Sequence, residues 1–388
     1  MLPSFNSSTR TFQGVPAAVV LRSELERLQA KRILFVTDPG VHGAGLIGSL
    51  EAATAEICES SETFGEVVQD PTVRLMDRLG RRATDGCIDA LVAVGGGACM
   101  DAAKAAALVA SHGGSVLDLV GEDKVTRSPL PVICVPTTAG TGSEVSWHIS
   151  VNDTDRNLKV TIRSPLAVPA VAILDPAMVS TVPRTVAASA GMDTLTHLVE
   201  SFVGNVGRWD LTDALCLHAI GIVGRSLRPY WDDRSIAEHA MQMQVAACIG
   251  GLALSHSRTG IVHQMARPLG ARFHVPHGLA NAVLLPYCLA FTSSSVPARY
   301  AKVARALGVD ASLSDESAAA RLSSGVHELN AAIEIPRSLR DFGVTEEALD
   351  DLAQDALQGK PRVTNPCDAS HTDVVKIYRA ALRGGRDA

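Results

Sequence analysis

The hydrophobic pattern of this chain changes once, near residue 184, and that change constrains the fold more than any other feature. Before it, short β-rich runs such as Arg32–Thr37 and Asp89–Val94 alternate with segments of helical spacing. Such alternation predicts a parallel sheet covered by helices. After it, apolar residues recur at helical spacing and strand signals nearly vanish. We therefore predict an α/β domain over residues 1–183 and an all-α domain over 184–388.

Composition and charge narrow the class of protein. The 388 residues are 46% hydrophobic, which is enough to fill two cores. A net charge of −6, with acids and bases interspersed, argues against nucleic acid or an anionic membrane as the main partner. We expect no membrane span and no signal peptide, because the apolar runs are too short. Eight cysteines without a C-x-x-C pair predict a reduced, cytoplasmic protein.

A glycine-rich turn follows the predicted strand Asp89–Val94. Gly95, Gly96 and Gly97 lead directly into a helical segment. Glycines let backbone N–H groups approach a pyrophosphate closely, and a helix N-terminus adds a favourable dipole. The spacing matches neither the G-x-G-x-x-G dinucleotide fingerprint nor a P-loop. The residues alone therefore leave open whether this turn binds phosphate or is simply a tight strand-to-helix connection.

Asp38 ends another predicted strand, Arg32–Thr37. A carboxylate at such a strand end can accept a hydrogen bond from a ribose 2′-hydroxyl and would repel a 2′-phosphate. This reading favours NAD over NADP. The alternative is that Asp38 is a turn residue before Pro39 and Gly40, and the position by itself favours that alternative.

The segment 136–144, PTTAGTGSE, follows a third predicted strand and is dense in small residues and hydroxyls. Loops at the carboxyl ends of parallel strands are where α/β folds bind ligands. The hydroxyls of Thr137, Thr138 and Thr141 can meet phosphate, ribose or a nicotinamide amide, although an ordinary surface loop is the alternative. Lys159 can also contact a nucleotide, but a lone lysine is more often a surface residue.

Four side chains in the helical half have the composition of a metal site. Asp193 and His197 lie four residues apart in a helical stretch and so share one face. His263 precedes Pro268, which we expect to end or kink its helix, and His277 follows shortly afterwards. One carboxylate and three imidazoles suit Fe²⁺ or Zn²⁺. Each histidine alone is by default a hydrogen-bonded core residue, so the spacing does not decide between the two readings.

Together these segments resemble the iron-containing (group III) alcohol dehydrogenase family. The ordered set covers nearly the whole chain and is specific for the family, though not for a substrate. The matching segments are VTDPG (36–40), VGGGACMDAAKA (94–105), PTTAGTGSEVS (136–146), SPLAVPAVAILDP (164–176), GMDTLTHLVESFV (191–203), GIVHQMARPLGARFHVPHGLANAVLLP (260–286) and VTNPCD (363–368).

The resemblance implies a dinucleotide-binding α/β domain followed by a helical metal-binding domain, the dehydroquinate synthase-like fold. It also implies a homodimer or a higher homo-oligomer. The implied ligands of Fe²⁺, or of Zn²⁺ in some members, are Asp193, His197, His263 and His277. The implied NAD-binding residues are Asp38, Gly96, Gly97, Thr137, Thr138, Thr141 and Lys159.

Two positions depart from the family's pattern. Ala98 stands where the glycine loop usually ends in serine, which removes one hydroxyl contact and keeps the backbone cradle. Arg267 stands where many alcohol-oxidising members carry a histidine, one helical turn after the first downstream metal histidine. Arginine cannot readily pass a proton, but it can clamp a carboxylate, sulfonate or phosphonate. The alternative is that Arg267 pairs with a nearby acid and is structural. His274 is nearby and is the candidate to relay the proton in place of the usual histidine, so Arg267 and His274 are the candidate catalytic residues.

The implied activity is hydride transfer between NAD(H) and a small-molecule primary alcohol or aldehyde, with an anionic substrate as one version. The metal would act as a Lewis acid on the substrate oxygen. Two other activities remain open from the sequence. One is a maleylacetate-reductase-like reduction of a carbon–carbon double bond, which need not use metal. The other is a non-redox, dehydroquinate-synthase-like lyase reaction.

Overall fold

The computed structural model describes residues 5–156, 158–358 and 364–385, and the chain divides into two compact units. One unit contains Asn6–Val182 and Arg234–Leu252; the other contains Pro183–Asp233 and the chain from Ala253 onwards. Val363, the first residue of the VTNPCD segment, lies outside the described residues.

A parallel sheet is the centre of the first unit. Six strands are hydrogen-bonded in the order β1-β9-β6-β4-β2-β3, and every pairing is parallel. A smaller sheet of order β5-β8-β7 lies in the same unit. The strands are β1 (Arg10–Gln13), β2 (Arg32–Val36), β3 (Ser60–Phe64), β4 (Ala90–Gly95), β5 (Gly121–Glu122), β6 (Val132–Pro136), β7 (His148–Asp153), β8 (Leu158–Arg163) and β9 (Val171–Leu174).

Alternate residues of the central strands enter two separate cores. On β2, Ile33 and Phe35 belong to one apolar cluster, whereas Leu34 and Val36 belong to the other. Because successive side chains of a strand point to opposite faces, the sheet is buried on both sides. The helices of this unit are α1 (Ala17–Leu28), α2 (Pro39–Gly43), α3 (Gly48–Thr54), α4 (Val73–Asp85) and α5 (Gly97–His112).

The second unit is helical throughout its described residues. Every residue of its first helix from Gly191 to Val203 is buried, so this helix forms the centre of the unit. Its helices are α6 (Arg184–Val203), α7 (Asp210–Asp232), α9 (Ile261–Phe273), α10 (His277–Thr292), α11 (Pro297–Ala306), α12 (Asp315–Ala332), α13 (Leu349–Leu357) and α14 (His371–Arg383).

The remaining helix, α8 (Ala237–His256), lies beyond the boundary that the sequence analysis places after residue 183. Most of it nevertheless belongs to the unit that holds the sheet. The physical reason is apolar packing: Cys248 is buried in one cluster with Ala172 and Leu174 of β9. Periodicity identifies such a segment as a helix, but it does not say which core the helix packs on.

No single helix among the described residues is long and apolar enough to span a membrane. One bent pair, Ala237–His256 with Ile261–Phe273, passes that test jointly, by length and composition only.

Candidate metal centre and cofactor loops

Three helices of the second unit carry the four predicted metal ligands. Asp193 and His197 lie one turn apart on α6, His263 lies in the first turn of α9, and His277 is the first residue of α10. The Nε2 atoms of His197, His263 and His277 lie 3.8, 3.7 and 3.7 Å from one atom, Asp193 Oδ1. Side chains distant in sequence therefore converge on one small volume.

The separations fit a divalent cation. Ligand atoms about 2.1 Å from a tetrahedral ion lie about 3.4 Å from one another, a few tenths of an ångström less than here. The ligand atoms of Asp193, His263 and His277 all lie within 4.8 Å of one another. His197 joins them through Asp193 and through its ring, which stacks on that of His263 with centroids 4.7 Å apart. This donor set and its spacing could hold a divalent cation such as Fe²⁺ or Zn²⁺.

The electrostatics keep the Asp193 carboxylate ionised. Burial disfavours its charged form, but the neighbouring His197, His277 and His263 and a hydrogen bond from Asn281 hold its pKa below the usual range. An ionised carboxylate is the form that binds a metal. Asp193, His197 and His263 are almost fully buried, whereas the His277 side chain is 38% exposed. The side of the cluster formed by His277 is thus the most accessible one.

A glycine explains how α10 begins so close to α6. Gly278 follows His277, and a Cβ atom at this position would lie 2.4 Å from the backbone oxygen of Ser189. Any side chain there would push the start of α10 away from α6. The pair His277-Gly278 therefore brings an imidazole within reach of Asp193.

Two further residues at this cluster were missed by the sequence analysis. Glu200, one turn after His197 on α6, accepts a 2.6 Å hydrogen bond from Nδ1 of His263 through Oε2. Asn281, one turn after His277 on α10, places Nδ2 2.7 Å from Asp193 Oδ1. Their signal in the sequence was the same i, i+3 or i, i+4 spacing from a predicted ligand that paired Asp193 with His197.

In the first unit, the predicted cofactor segments meet at one edge of the sheet. β2, β4 and β6 are parallel neighbours, with Gly95 opposite Pro136. Their carboxyl ends therefore lie side by side, and these ends precede Asp38, the glycine turn and the threonine loop respectively. A Cβ atom on Gly97 would lie 2.7 Å from Thr141 Cγ2, and one on Gly96 would lie 3.3 Å from Thr138 Oγ1. The two loops therefore approach closely, and at Gly97 a side chain would require one of them to shift.

Asp38 is both a turn residue that caps a helix and a carboxylate beside the glycine turn. Its Oδ1 accepts hydrogen bonds from the backbone of Gly40 and Val41 and so caps α2, as a turn residue would. Its Oδ2 lies 3.4 Å from the Cys99 sulfur, beside the glycine turn. Thr137 continues the pairing of β6 with β4 by donating its backbone N–H to the Gly95 oxygen at 3.0 Å.

Lys159 lies on β8, outside the six-stranded sheet. Its Nζ forms a 2.6 Å ion pair with Asp70, and both side chains are partly exposed. The contacts described for it do not reach the glycine turn. This placement agrees with the surface reading of a lone lysine.

A buried cation that the sequence analysis did not identify ties α5 to the loop after Thr141. Lys104 is 1% exposed, and its Nζ lies 3.3 Å from Asp101 Oδ1. Asp101 in turn accepts hydrogen bonds from the Ser143 hydroxyl at 2.6 Å and the Ser150 backbone at 2.8 Å. Lys104 also donates to three backbone carbonyls at 3.1, 3.2 and 2.7 Å, those of Ser143, Ser146 and His148.

Arg267 and His274 lie on or next to α9. Arg267 is one turn after His263 and exposes much of its surface, and it makes no hydrogen bond or ion pair with the described residues. Protein atoms around its guanidinium lower the pKa by desolvation, while Glu200 acts in the opposite sense; the group remains a cation at neutral pH. His274 is exposed and ends α9 in the left-handed region, with φ of 55°. α9 therefore continues through Pro268, which does not end it.

Family models match both halves of the chain. Residues 8–176 match the family model described as iron-containing alcohol dehydrogenase, and residues 187–382 match the C-terminal model of the Fe-containing alcohol dehydrogenase family. The chain belongs to the iron-containing alcohol dehydrogenase family. It is accordingly an oxidoreductase that uses NAD and a divalent metal to interconvert alcohols and aldehydes. The predicted family and fold class are confirmed.

Individual relatives agree over almost their whole length. The chain is 37% identical to long-chain-alcohol dehydrogenase 1 of Geobacillus thermodenitrificans over 366 residues, which is 93% of this chain and 92% of that protein. A crystal structure of 1,3-propanediol oxidoreductase matches with a TM-score of 0.94 and 30% identity, covering 98% of this chain and 100% of that one. Sulfoacetaldehyde reductase from Bifidobacterium kashiwanohense, solved with NAD⁺, matches with a TM-score of 0.90 and 27% identity, covering 100% of both chains.

Proposed function

We propose that Asp193, His197, His263 and His277 together hold the divalent metal of this enzyme. The observation that carries the proposal is the convergence of three imidazole Nε2 atoms at 3.7–3.8 Å from one carboxylate oxygen. The lowered pKa of the Asp193 carboxyl and the burial of Asp193, His197 and His263 add to it. When bound, the cation supplies Lewis acidity at the substrate oxygen and the nicotinamide supplies the hydride acceptor.

We further propose that the glycine turn and the threonine loop bind the dinucleotide. The backbone N–H groups of Gly96 and Gly97, at the N-terminus of α5, would bind the pyrophosphate, because a helix N-terminus attracts anions. The hydroxyls of Thr138 and Thr141 lie against the same turn and are available to the cofactor. Three loops that follow adjacent parallel strands support this assignment, because ligands of open α/β sheets bind at the carboxyl ends of strands.

Asp38 sets a preference for NAD over NADP in this proposal. Its Oδ2 is beside the glycine turn, where it can accept from a ribose hydroxyl and repel a phosphate. Thr137 holds the start of the threonine loop through its backbone. Lys159 enters the cofactor site only if the ion pair with Asp70 opens, so we assign it the smallest share in binding NAD.

A more specific proposal concerns the substrate: we propose that Arg267 holds an anionic group of the aldehyde. Arg267 shares a face of α9 with His263, is cationic, and has no acid partner among the described residues. Guanidinium groups bind carboxylates and sulfonates through two parallel hydrogen bonds. The fold is also that of an enzyme named sulfoacetaldehyde reductase, whose substrate by that name carries a sulfonate. In this proposal the exposed His274 transfers the proton of the substrate hydroxyl, because Arg267 stays protonated and cannot do so.

The substrate proposal is tested with Arg267→Ala and Arg267→His on neutral and anionic aldehydes. We expect kcat/KM for anionic aldehydes to fall by about 10–100-fold relative to neutral ones, as for the loss of one charged hydrogen-bonding partner. Arg272→Ala is the matched control, because Arg272 lies on the same helix and pairs with Asp355 and Asp351 at the surface. An unchanged preference in both Arg267 variants would remove the idea.

The function as a whole is tested with a panel of alcohols and aldehydes with NAD(H). Metal-stripped protein should be inactive, and reloading with Fe²⁺ or Zn²⁺ should restore NADH production from alcohols. A metal-free active enzyme would favour reduction of a carbon–carbon double bond instead. Absence of net NADH turnover would favour the lyase reaction.

We also propose that the enzyme works in the cytoplasm as a homodimer or higher homo-oligomer. Its eight cysteines are free thiols, which suits a reducing compartment. The oligomeric part comes from the family resemblance. Light scattering coupled to size-exclusion chromatography measures it, and a monomeric mass would refute it.

A further inference from the structure

Glu200 is a buried carboxylate whose hydrogen bonds lead to the metal cluster. It is 6% exposed and lies on α6 in line with Asp193 and His197. Oε2 accepts from Nδ1 of His263 at 2.6 Å and from the backbone N–H of Gly260 at 2.7 Å. Oε1 accepts from the backbone N–H of Val262 at 2.7 Å. One side chain thus satisfies three donors at the start of α9.

The start of α9 is built around this carboxylate. Gly260 is the N-cap of α9 and has no side chain to cap the helix itself, so Glu200 supplies the acceptor from outside. A Cβ atom at Gly260 would lie 2.9 Å from Glu200 Oε1, so only glycine lets the backbone come this near. A negative charge is also favourable at a helix N-terminus. Glu200 therefore fixes the backbone of the residues that immediately precede His263.

We propose that Glu200 is a positioning residue for the metal: it fixes His263 in the tautomer and orientation that offer Nε2 to the cation. This inference rests on the proposed metal centre. Because Nδ1 of His263 donates to Glu200, its proton is on Nδ1 and the lone pair of Nε2 faces Asp193 Oδ1, 3.7 Å away. A carboxylate behind a ligating imidazole also makes that imidazole a stronger electron donor.

A neutral amide cannot replace this group. Each oxygen of Glu200 faces a backbone N–H, of Gly260 on one side and Val262 on the other. In Glu200→Gln, one of these N–H groups must face the amide NH₂ whichever way the amide is turned. The two carboxylate oxygens accept from all three donors at once, which fits a role that depends on this geometry.

The test measures metal affinity rather than turnover. Zn²⁺ binding to the full-length protein is followed by competition with a chelator, and Co²⁺ binding by its visible absorption, which reports the ligand geometry. For Glu200→Gln we expect the dissociation constant to rise by about 10–100-fold, the usual effect of losing an outer partner of a ligand. The Co²⁺ bands should shift, because His263 is no longer held in one orientation.

Ser257→Ala is the matched control. The Ser257 hydroxyl lies 2.8 Å from that of Ser201 on α6, and its hydrogen bonds among the described residues, to Ser201 and Ala253, include none of the four proposed ligands. Its metal affinity should stay within about threefold of wild type, since a neutral hydrogen bond outside the cluster is removed. If Glu200→Gln does not fold, Glu200→Asp decides, because the shorter side chain withdraws from His263 and should weaken metal binding in the same direction.

Unchanged Zn²⁺ affinity and an unchanged Co²⁺ spectrum in a folded Glu200 variant would overturn the inference and leave Glu200 as a cap of α9. Failure of the wild-type protein to bind either ion would instead refute the proposed metal centre. The two failures are therefore distinguishable.

Discussion

Replacing Lys104 by methionine should destabilise the first unit and loosen the loop that we assign to the cofactor. Methionine keeps most of the buried volume and removes the charge. The backbone carbonyls of Ser143, Ser146 and His148, in and just after this loop, then lose their donor, and Asp101 loses the cation 3.3 Å away. Asp101 retains its hydrogen bonds from Ser143 and Ser150, which limits the loss at that carboxylate.

Removing one partner from a buried ionic cluster costs about 3–5 kcal/mol of unfolding free energy. For a unit of this size, each kcal/mol lowers the melting temperature by about 2–4 °C. The Tm of the Lys104→Met protein should therefore fall by about 10 °C. The KM for NAD should also rise, because the threonine loop is no longer held against the glycine turn.

The assay is thermal unfolding with and without NAD, together with the KM for NAD. Lys31→Met is the matched control, because Lys31 is exposed and donates one surface hydrogen bond, to the Ile57 carbonyl at 3.1 Å. It should lower the unfolding free energy by less than about 1 kcal/mol. A Lys104→Met protein with the Tm and KM of wild type would show that the buried cation does not hold the loop.

Three further changes give independent checks. Burial raises the pKa of Glu144 to about 7 from its ordinary 4.5, against the opposing effects of its backbone N–H and Lys104, so the folded protein holds a proton that the unfolded chain releases. Stability should fall by about 3 kcal/mol as pH rises from about 4.5 to about 7, and Glu144→Gln should remove that fall in Tm measured from pH 5 to 8. Gly97→Ala should weaken NAD binding about tenfold in calorimetry and cost about 1–3 kcal/mol of stability, because its Cβ would lie 2.7 Å from Thr141 Cγ2. Asp193→Asn should lose more metal affinity than the about 10–100-fold expected for an outer partner, measured as metal content after dialysis, and retained metal would contradict its role as a ligand.

The alternation of strand and helix patterns predicted the class of the first unit correctly because β2, β4 and β6 are apolar nearly throughout. A strand that is buried on both faces needs apolar side chains at nearly every position, because both of its faces pack against helices. The same reasoning could not place α8. Its apolar residues have helical spacing in any core, and the partner that decides the question, Ala172 and Leu174 on β9, is distant in sequence.

The residues of the candidate site likewise include some that the sequence predicted and some that it did not. Asp193, His197, His263 and His277 could be selected because their residue types suit a metal and because the family pattern grouped them. Their role as ligands remains a proposal, although the structure brings them together.

Glu200 has helical spacing from His197, but neither its residue type nor that of Lys104 singled it out. One acid in LVESFV, or one lysine in an alanine-rich helix, normally indicates an exposed helix face. Their partners are mainly backbone N–H and C=O groups, which every residue carries and which the sequence therefore cannot single out.

The double use of Asp38 has a consequence for redesigning coenzyme choice. One oxygen of this side chain pins the first turn of α2, while the other lies beside the turn assigned to the dinucleotide. Alanine or glycine there would remove the repulsion of a phosphorylated ribose, but it would also remove the N-terminal cap of α2. Asparagine would keep an acceptor for the two N–H groups while discarding the charge. A library of variants that aims to change the coenzyme should therefore place asparagine at this position and introduce basic residues elsewhere along the carboxyl edge of the sheet.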